Sequence, residues 1–114
     1  MTGIPFSVTT RTTAAGPVVT VGGELDVATA PRLRAAAGTL ALGSGQLLVV
    51  DLAGVTFCDS SGISALIAAR NLAEAAGARV ALAAVPARLA RTFALIGLAD
   101  FFPTYASAED AVKD

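Results

Sequence analysis

The chain has 114 residues, a formal net charge of −1, 54% apolar residues and no histidine. This length is typical of one domain, and the nearly neutral charge, with no cluster of lysine or arginine, argues against direct binding to nucleic acid. Without histidine the chain lacks the usual general base and the imidazole ligand of zinc sites. We therefore expect neither an enzyme nor a bound metal or cofactor.

A mean hydropathy of +0.69 raises the question of a membrane segment. The longest uncharged run lies between Arg34 and Asp51, and its polar residues and glycines interrupt the roughly 20 apolar residues that a spanning helix needs. Residues 1–5 lack the basic segment and apolar block of a secretory signal. Cys58, the single cysteine, excludes an intramolecular disulfide, which fits a reducing compartment. The sequence predicts a soluble, cytoplasmic protein without membrane insertion.

The first half of the chain predicts a hairpin followed by a helix. Alternating β-branched residues indicate a strand over 6–13, and a turn at 14–17 leads into a second strand over 18–22. A helix is expected to begin at 29–31, where Pro31 suits the first turn, and to end at the glycines of 43–45.

The second half alternates strands and helices. The apolar run over 46–51 indicates a central strand that is buried on both faces and ends at Asp51. We expect a helix over 61–76 that ends at Gly77, followed by a strand over 79–83. A third helix should run from Val85-Pro86 to Gly97-Leu98. An edge strand within 101–105 and a short helix capped by Ser107 should complete the chain. In the third helix, Leu89, Phe93 and Ile96 are spaced to face the core.

This alternation predicts an α/β fold. We expect a mostly parallel central sheet with an N-terminal antiparallel hairpin strand and about four helices.

The segment Phe57-Cys58-Asp59-Ser60-Ser61-Gly62 is the most informative part of the sequence. It lies where a buried strand is expected to lead, through a short loop, into a helix that opens at a serine. Serine and aspartate are favoured at helix N-caps, and the N–H groups and dipole of a helix start can also hold an anion. A simple serine cap is the structural alternative.

A second motif precedes it in the chain. Residues 22–26 read Gly-Gly-Glu-Leu-Asp and lead into the first helix, and residues 55–62 read Val-Thr-Phe-Cys-Asp-Ser-Ser-Gly. In this order and at this spacing, the two motifs resemble the STAS domain family, in particular its stand-alone bacterial anti-sigma factor antagonists. The resemblance covers about residues 6–112 of a single STAS domain over 1–114, including the later Phe93-x-x-x-Gly97-Leu98 segment.

The resemblance implies a binding switch. Ser60 aligns with the serine that the family's partner, an anti-sigma factor with serine kinase activity, phosphorylates. The unphosphorylated form would bind that partner and release a sigma factor, phosphorylation at Ser60 would switch binding off, and a serine phosphatase would restore it. Asp26 resembles an aspartate that lies beside the phosphorylation loop and contributes to partner contact. The chain departs from close antagonists at Val27-Ala28, where polar residues are common.

Each residue around Ser60 also has a structural interpretation. Asp59 could orient the acceptor hydroxyl or stabilise the helix start, and Asp26 could cap the first helix. Ser61 could be a cap or donate a hydroxyl hydrogen bond to the loop. Gly62 could allow close approach of a partner or only helix packing. Asp51 could belong to the same acidic rim or merely finish its strand.

The outer face of the predicted second helix carries no charge, whereas solvated helix faces usually carry lysine and glutamate. Its members are Ser64, Ala68, Asn71, Leu72 and Ala75. We interpret this face, continuous with Ser60, as a partner-docking surface in which Ser64, Ala68 and Leu72 take part. A generally alanine-rich composition is the competing explanation.

A second function from another class stays open. The chain could be a STAS adaptor subunit of a transporter or signalling complex, with no phosphorylation cycle. The uncharged helix face suits such permanent assembly, whereas the intact Asp-Ser-Ser-Gly motif argues against it. Nucleotide binding by the domain itself lacks support, because no glycine-rich P-loop motif is present.

Overall fold

The structure is a computed structural model that describes residues 4–113. Residues 1–3 of the N-terminal stretch, in which no signal sequence is expected, and residue 114 lie outside the described part. The elements in chain order are β1 Ser7–Thr12, β2 Pro17–Leu25, α1 Ala30–Gly38, β3 Leu47–Cys58, α2 Ser60–Ala75, β4 Arg79–Ala83, α3 Ala87–Leu95, β5 Thr104–Tyr105 and α4 Ala108–Lys113.

The five strands form one sheet in the order β1-β2-β3-β4-β5. β1 is antiparallel to β2, and the three remaining pairings are parallel. Each parallel pair is joined through a helix, as a parallel crossover requires. The predicted α/β class, the antiparallel N-terminal hairpin and the mostly parallel sheet are confirmed.

Apolar side chains of the central strand point alternately to the two faces of the sheet. Leu48, Val50 and Leu52 of β3 pack in the core formed with α1, α2 and α3. Leu47 and Val49 pack on the opposite face in a smaller core to which α4 contributes. This arrangement explains the nearly continuous apolar run of β3, because a strand covered on both faces needs no polar alternation.

The central strand is longer than the sequence predicts. β3 continues past Asp51 to Cys58, because β2 also extends to Leu25. The two strands stay paired over this length through two register shifts. The prediction that Asp51 ends the strand is therefore wrong. Asp51 is half-buried within β3, and its Oδ1 accepts a hydrogen bond from the backbone N–H of Ala53 at 3.0 Å.

Two helix boundaries also differ from expectation. α1 ends at Gly38 rather than at residues 43–45, because Thr39 closes the last turn through its N–H and through a hydroxyl bond to the carbonyl of Ala36 at 2.8 Å. α3 ends at Leu95, and the expected core residue Ile96 is 53% exposed. Leu89 and Phe93 are buried as predicted.

The predicted glycine termini of α2 and α3 are confirmed. Gly77 and Gly97 have φ of +76° and +82°, in the left-handed region that glycine adopts readily. The N–H after each glycine donates to a carbonyl of the last helical turn, Ala78 to Ala73 at 2.8 Å and Leu98 to Phe93 at 2.7 Å. This is the Schellman arrangement. Over residues 4–113, no helix has the length and apolar character needed to cross a membrane.

Candidate functional site

Two loops meet at the carboxyl edge of the sheet, where β2 and β3 end together. Leu25 and Cys58, the last residues of these strands, are register partners. The backbone N–H of Asp59 donates to the carbonyl oxygen of Leu25 at 3.3 Å, which ties the second loop to the first. Asp26 and Asp59, the next residues along each chain segment, therefore stand on adjacent loops. In open α/β sheets this edge is the usual location of binding sites.

The start of α2 is capped by Asp59. Its backbone is extended, with φ −102° and ψ −168°, and its Oδ1 accepts from the N–H groups of Ser61 at 2.9 Å and Gly62 at 3.3 Å. These are two of the N–H groups that a helix start leaves without partners. The serine-cap interpretation is therefore wrong, and the helix-stabilising interpretation of Asp59 is confirmed.

Ser60 is the first residue of α2, and it is exposed. Because Asp59 caps the helix, the Ser60 hydroxyl is not used for capping, and it makes no hydrogen bond within the described structure. Ser61 is half-buried and contributes its backbone N–H to the cap, not the predicted hydroxyl bond. Of the two serines, Ser60 thus presents the accessible hydroxyl.

The loop before α1 is fixed by the side chains of Asp26 and Thr29. Asp26 Oδ1 accepts from the N–H groups of Ala28 at 3.0 Å and Thr29 at 3.2 Å. The Thr29 hydroxyl donates to the carbonyl of Glu24 at 2.7 Å and accepts from the Asp26 N–H at 2.9 Å. The interpretation of Asp26 as the cap of the first helix is wrong, because the N-cap residue of α1 is Thr29 and it makes no side-chain capping bond. Asp26 instead holds the turn before the helix, where its carbonyl also accepts from the N–H of Ala30 at 2.7 Å.

Each carboxylate keeps an oxygen available. Asp59 caps α2 through Oδ1 alone and Asp26 holds its turn through Oδ1 alone, so no bond that the structure describes engages Oδ2 of either residue. The exposed hydroxyl of Ser60 thus lies on a surface with two negative charges on neighbouring loops. Across residues 4–113 no grouping of acidic and thiol side chains could hold a metal ion.

Gly62 lets the first turn of α2 lie directly on the strand ends. It is buried, and a Cβ atom at this position would lie 2.6 Å from Cys58 Sγ and 2.8 Å from both Cγ and the carbonyl oxygen of Leu25. The helix-packing interpretation of Gly62 is therefore confirmed. This close contact sets the position from which Ser60 projects.

Cys58 lies beneath this helix start and is half-buried. Burial, and then the charge of Asp59, raises the pKa of the Cys58 thiol to about 11. The thiolate is the nucleophilic form of cysteine, so the raised pKa disfavours reaction of Cys58 at neutral pH. Its part in the site is packing against Gly62.

The outer face of α2 continues from Ser60 along the helix. Residues four apart lie on one side of a helix, so Ser60, Ser64, Ala68 and Leu72 form a single stripe. Ala68 is half-buried and Leu72 is 44% exposed, and the neighbouring exposed residues of this face are Asn71 and Ala75. The predicted stripe is therefore uncharged and partly to fully accessible, but next to Asn71 it is bordered by Glu74, whose side chain is 53% exposed and pairs with Arg70 at 3.0 Å.

Sequence reasoning missed two exposed apolar side chains beside the Ser60 loop. Val27 is 75% exposed at the turn between β2 and α1, and Phe57 is 44% exposed near the end of β3. The departure at Val27-Ala28 noted in the sequence analysis was the only signal for Val27. Nothing in the sequence distinguishes Phe57 from a core residue of a buried strand.

Comparison with known proteins places the chain in a family. A family model described as Mlab, STAS domain, matches residues 8–104. This match covers most of the chain. The two sequence motifs of the chain and the order of the strands in its sheet agree with membership of this family. The protein therefore belongs to the STAS domain family, as the sequence motifs predict.

Similar proteins include antagonists of anti-sigma factors. An anti-sigma-B factor antagonist of Bacillus subtilis is 32% identical over 95 residues, covering 83% of this chain and 86% of that protein. One from Listeria monocytogenes is 31% identical over 80 residues, 70% of each chain. The crystal structure of an anti-sigma factor antagonist from Mycobacterium paratuberculosis superimposes with a TM-score of 0.81, at 31% identity and 96% coverage of both chains.

Proposed function

We propose that this protein is an anti-sigma factor antagonist controlled by phosphorylation of Ser60. In the unphosphorylated state it binds an anti-sigma factor with serine kinase activity in the cytoplasm and releases the sigma factor that this partner holds. A serine phosphatase returns the modified form to the binding state. The observation that carries the proposal is the exposed, unbonded hydroxyl of Ser60, which stands at a helix start beside two carboxylates.

The partner surface comprises both loops and the outer face of α2. Asp26 and Asp59 each offer a carboxylate oxygen, and Ser61 borders the phosphorylation site. Ser64, Ala68 and Leu72 extend the contact along the helix as the stripe described above. Gly62 contributes by placing the helix start, since its buried position leaves no surface for direct contact.

A phosphate on Ser60 adds about −1.5 to −2 charges to this surface. Asp59 already occupies two N–H donors of α2, so those groups are not free to bind the phosphate. Like charges about 4 Å apart repel by up to roughly 4 kcal/mol at an effective dielectric constant of 20. A hundredfold loss of affinity requires only about 2.8 kcal/mol, so repulsion at a desolvated interface is sufficient to prevent binding.

The domain itself should tolerate the modification. The positive end of the α2 dipole favours an anion at its first residue by about 0.3–1 kcal/mol, which offsets part of the repulsion. Ser60 is exposed, so the phosphate needs no space inside the core. The switch therefore changes affinity for the partner while the fold persists.

The direct test uses Ser60→Ala with Ser61→Ala as the matched control. Ser60→Ala removes the acceptor, so it should take up no phosphate from ATP in the presence of the kinase and should bind the anti-sigma factor constitutively. Ser61→Ala should still be labelled. The measurement is intact mass after incubation with each anti-sigma factor kinase of the same genome, followed by a pull-down. Phosphate on the Ser60→Ala variant would place the acceptor elsewhere and contradict the proposal.

A STAS adaptor subunit of a transporter or signalling complex is the second candidate function. The uncharged outer face of α2 favours it, because permanent interfaces are more apolar than transient ones. Co-purification from the native cells separates the two functions. A transporter component recovered with unphosphorylated protein supports the adaptor, and a kinase-like anti-sigma factor supports the switch.

A further inference from the structure

A narrow crevice separates the end of β3 from the start of α3. Residues 55–58 of the strand line one side, and Pro86, Arg88 and Leu89 line the other. Its volume is about 30 Å³, roughly the share of one water molecule in the liquid, so the two sides lie almost in contact. The strand side of this crevice is the stretch that leads directly into Ser60.

Ser60 and Arg88 stand at the same edge and on the same face of the sheet. β3 and β4 are parallel, so α2 and α3 both begin at the carboxyl edge, and both helices pack on the same core. Ser60 is two residues beyond Cys58 of the crevice, which limits the distance between their Cα atoms to about 7 Å. The guanidinium of Arg88, at the end of a long flexible side chain, is therefore within reach of a phosphate on Ser60.

The charge of Arg88 is uncommitted in the unmodified protein. Arg88 is exposed, and within the described part of the chain its guanidinium has neither a salt-bridge partner nor an aromatic ring beneath it. By contrast, Arg32 lies over the ring of Phe6 at 4.8 Å, and Arg70 pairs with Glu74 at 3.0 Å. Arg88 is thus available to a new anion beside the crevice.

The side chains that flank Ser60 on its own loop and toward β2 are acidic. Asp59 precedes it, Asp26 stands on the adjoining loop, and Glu24 is the register partner of Phe57. Asp59 also takes two N–H groups at the start of α2, which leaves the helix start fewer donors for a phosphate. A phosphate at this place gains most from a cation, and arginine pairs with phosphate through two parallel N–H bonds.

We propose that Arg88 is the counter-ion of phosphorylated Ser60, with its guanidinium paired to the phosphate across the crevice between α2 and α3. The inference rests on the proposed function and adds how the domain holds its modified state. The pair offsets part of the repulsion from Asp59 and Asp26. One positive charge neutralises only part of a phosphate that carries about −1.5 to −2 charges, so phosphorylation still makes the partner surface more negative.

The test is a ³¹P NMR titration of the full chain with phosphoserine incorporated at position 60 during translation. A neighbouring cation favours the dianion and lowers the second pKa of phosphoserine, which is ordinarily about 6. Arg88→Ala should therefore raise this pKa by at least about 0.5 pH unit relative to the wild type. Arg88→Lys keeps the positive charge and should recover most of the difference, which a merely structural role of Arg88 would not produce.

Arg79→Ala is the matched control. Arg79 is exposed at the first residue of β4, at the opposite edge of the sheet, so its loss removes the same charge far from Ser60. With salt screening, the phosphoserine pKa should stay within about 0.1 pH unit of the wild type. An unchanged pKa in Arg88→Ala, or an equal rise in Arg79→Ala, overturns the role of Arg88 while the proposed function stands.

Failure of the proposed function has a different signature. A wild-type protein that no anti-sigma factor kinase of its genome phosphorylates at Ser60 contradicts that function. The NMR comparison does not depend on the kinase, because translation supplies the phosphoserine, and it still decides whether Arg88 pairs with the phosphate.

Discussion

Asp59 determines what Ser60 can do. Asp59 Oδ1 accepts hydrogen bonds from two backbone N–H groups and so caps the helix. The hydroxyl of Ser60 is therefore not needed as a cap. Aspartate and serine are nearly equal as N-caps, so the sequence Asp-Ser-Ser cannot by itself show which residue caps. The extended backbone at residue 59 decides it.

Gly62 is the residue at which a single methyl group should displace the site. In Gly62→Ala the new Cβ would lie 2.8 Å from the backbone oxygen of Leu25, which cannot rotate away. We expect α2 to shift outward, with a loss of about 1–3 kcal/mol in the free energy of unfolding, as for other overpacked sites. Urea denaturation measures this loss, and the partner affinity should fall with it.

Gly38→Ala is the control for that prediction. A Cβ at Gly38, the last residue of α1, would meet no atom within 4 Å. Alanine is the better helix former, so Gly38→Ala should be neutral or stabilising by up to about 1 kcal/mol. If Gly62→Ala were as stable as Gly38→Ala, the close packing of α2 on the strand ends would be contradicted.

The second helix joins the core to the candidate interface. Ile63, Leu66 and Ala73 are buried against the sheet, while the stripe from Ser60 to Leu72 lies on the accessible side. Helical periodicity in the sequence was sufficient to predict both faces, because the apolar spacing of the inner face is regular.

Ala68→Glu tests the outer face of this helix. A charged side chain in the middle of the stripe should abolish binding to the anti-sigma factor, because its desolvation against a close protein surface is costly. Ala68 is half-buried, so its flexible replacement can extend into solvent and the melting temperature should change little. Affinity and thermal unfolding are measured on the same sample.

Ala94→Glu is the matched control on the exposed side of α3. It introduces the same charge on another helix and should leave binding intact. Normal binding by Ala68→Glu would exclude this face of α2 from the interface.

Boundaries that leave a local signal in the sequence were predicted, whereas the end of α1 and the end of β3 were not. β4 has the expected bounds, Arg79–Ala83, and the glycines that end α2 and α3 were identified, because a left-handed residue after a helix leaves a local signal. In β3 the polar and glycine residues Asp51 and Gly54 interrupt the apolar run and suggest a turn. The strand continues through them because it pairs with β2, a long-range interaction that a local pattern does not contain.

The two layers of helices depend on the same strands. α1, α2 and α3 cover one face of the sheet, and α4 covers the other through Ala108 and Ala111, which pack near Val49 and Ala81. Because β3 and β4 contribute to both cores, loss of either layer should destabilise the entire domain rather than one side of it.

Ala111→Asp tests this dependence. Ala111 is 0% exposed, and an aspartate there would place a charge against apolar side chains, at a cost of several kcal/mol. We expect one cooperative unfolding transition at a markedly lower temperature, seen by circular dichroism. At temperatures where the variant is folded, its partner affinity should equal that of the wild type.

Glu109→Ala, an exposed change in the same helix, should have little effect on stability. Two separate transitions in Ala111→Asp, with the far core melting alone, would show that the faces unfold independently and would contradict the expectation.

The family and the location of Ser60 could be read from the sequence, because both motifs are local and occur in order. The pairing of Leu25 with Cys58, which brings Asp26 next to the start of α2, follows from parallel strands that end at one edge. The exposure of individual apolar side chains could not be predicted from the sequence in the same way. Val27 and Phe57 are apolar residues whose position at the surface depends on how far each strand extends past its neighbours.

The unequal lengths of β3 and β4 have an evolutionary consequence. β4 makes its last pair with β3 at Asp51, so residues 52–58 extend beside β2 alone and carry the Ser60 loop away from the second half of the chain. Drift in β4, β5 and α4 should therefore alter stability while leaving the Ser60 loop in place. In the proposed function, divergence in the choice of anti-sigma factor should instead fall within residues 22–29 and 57–72.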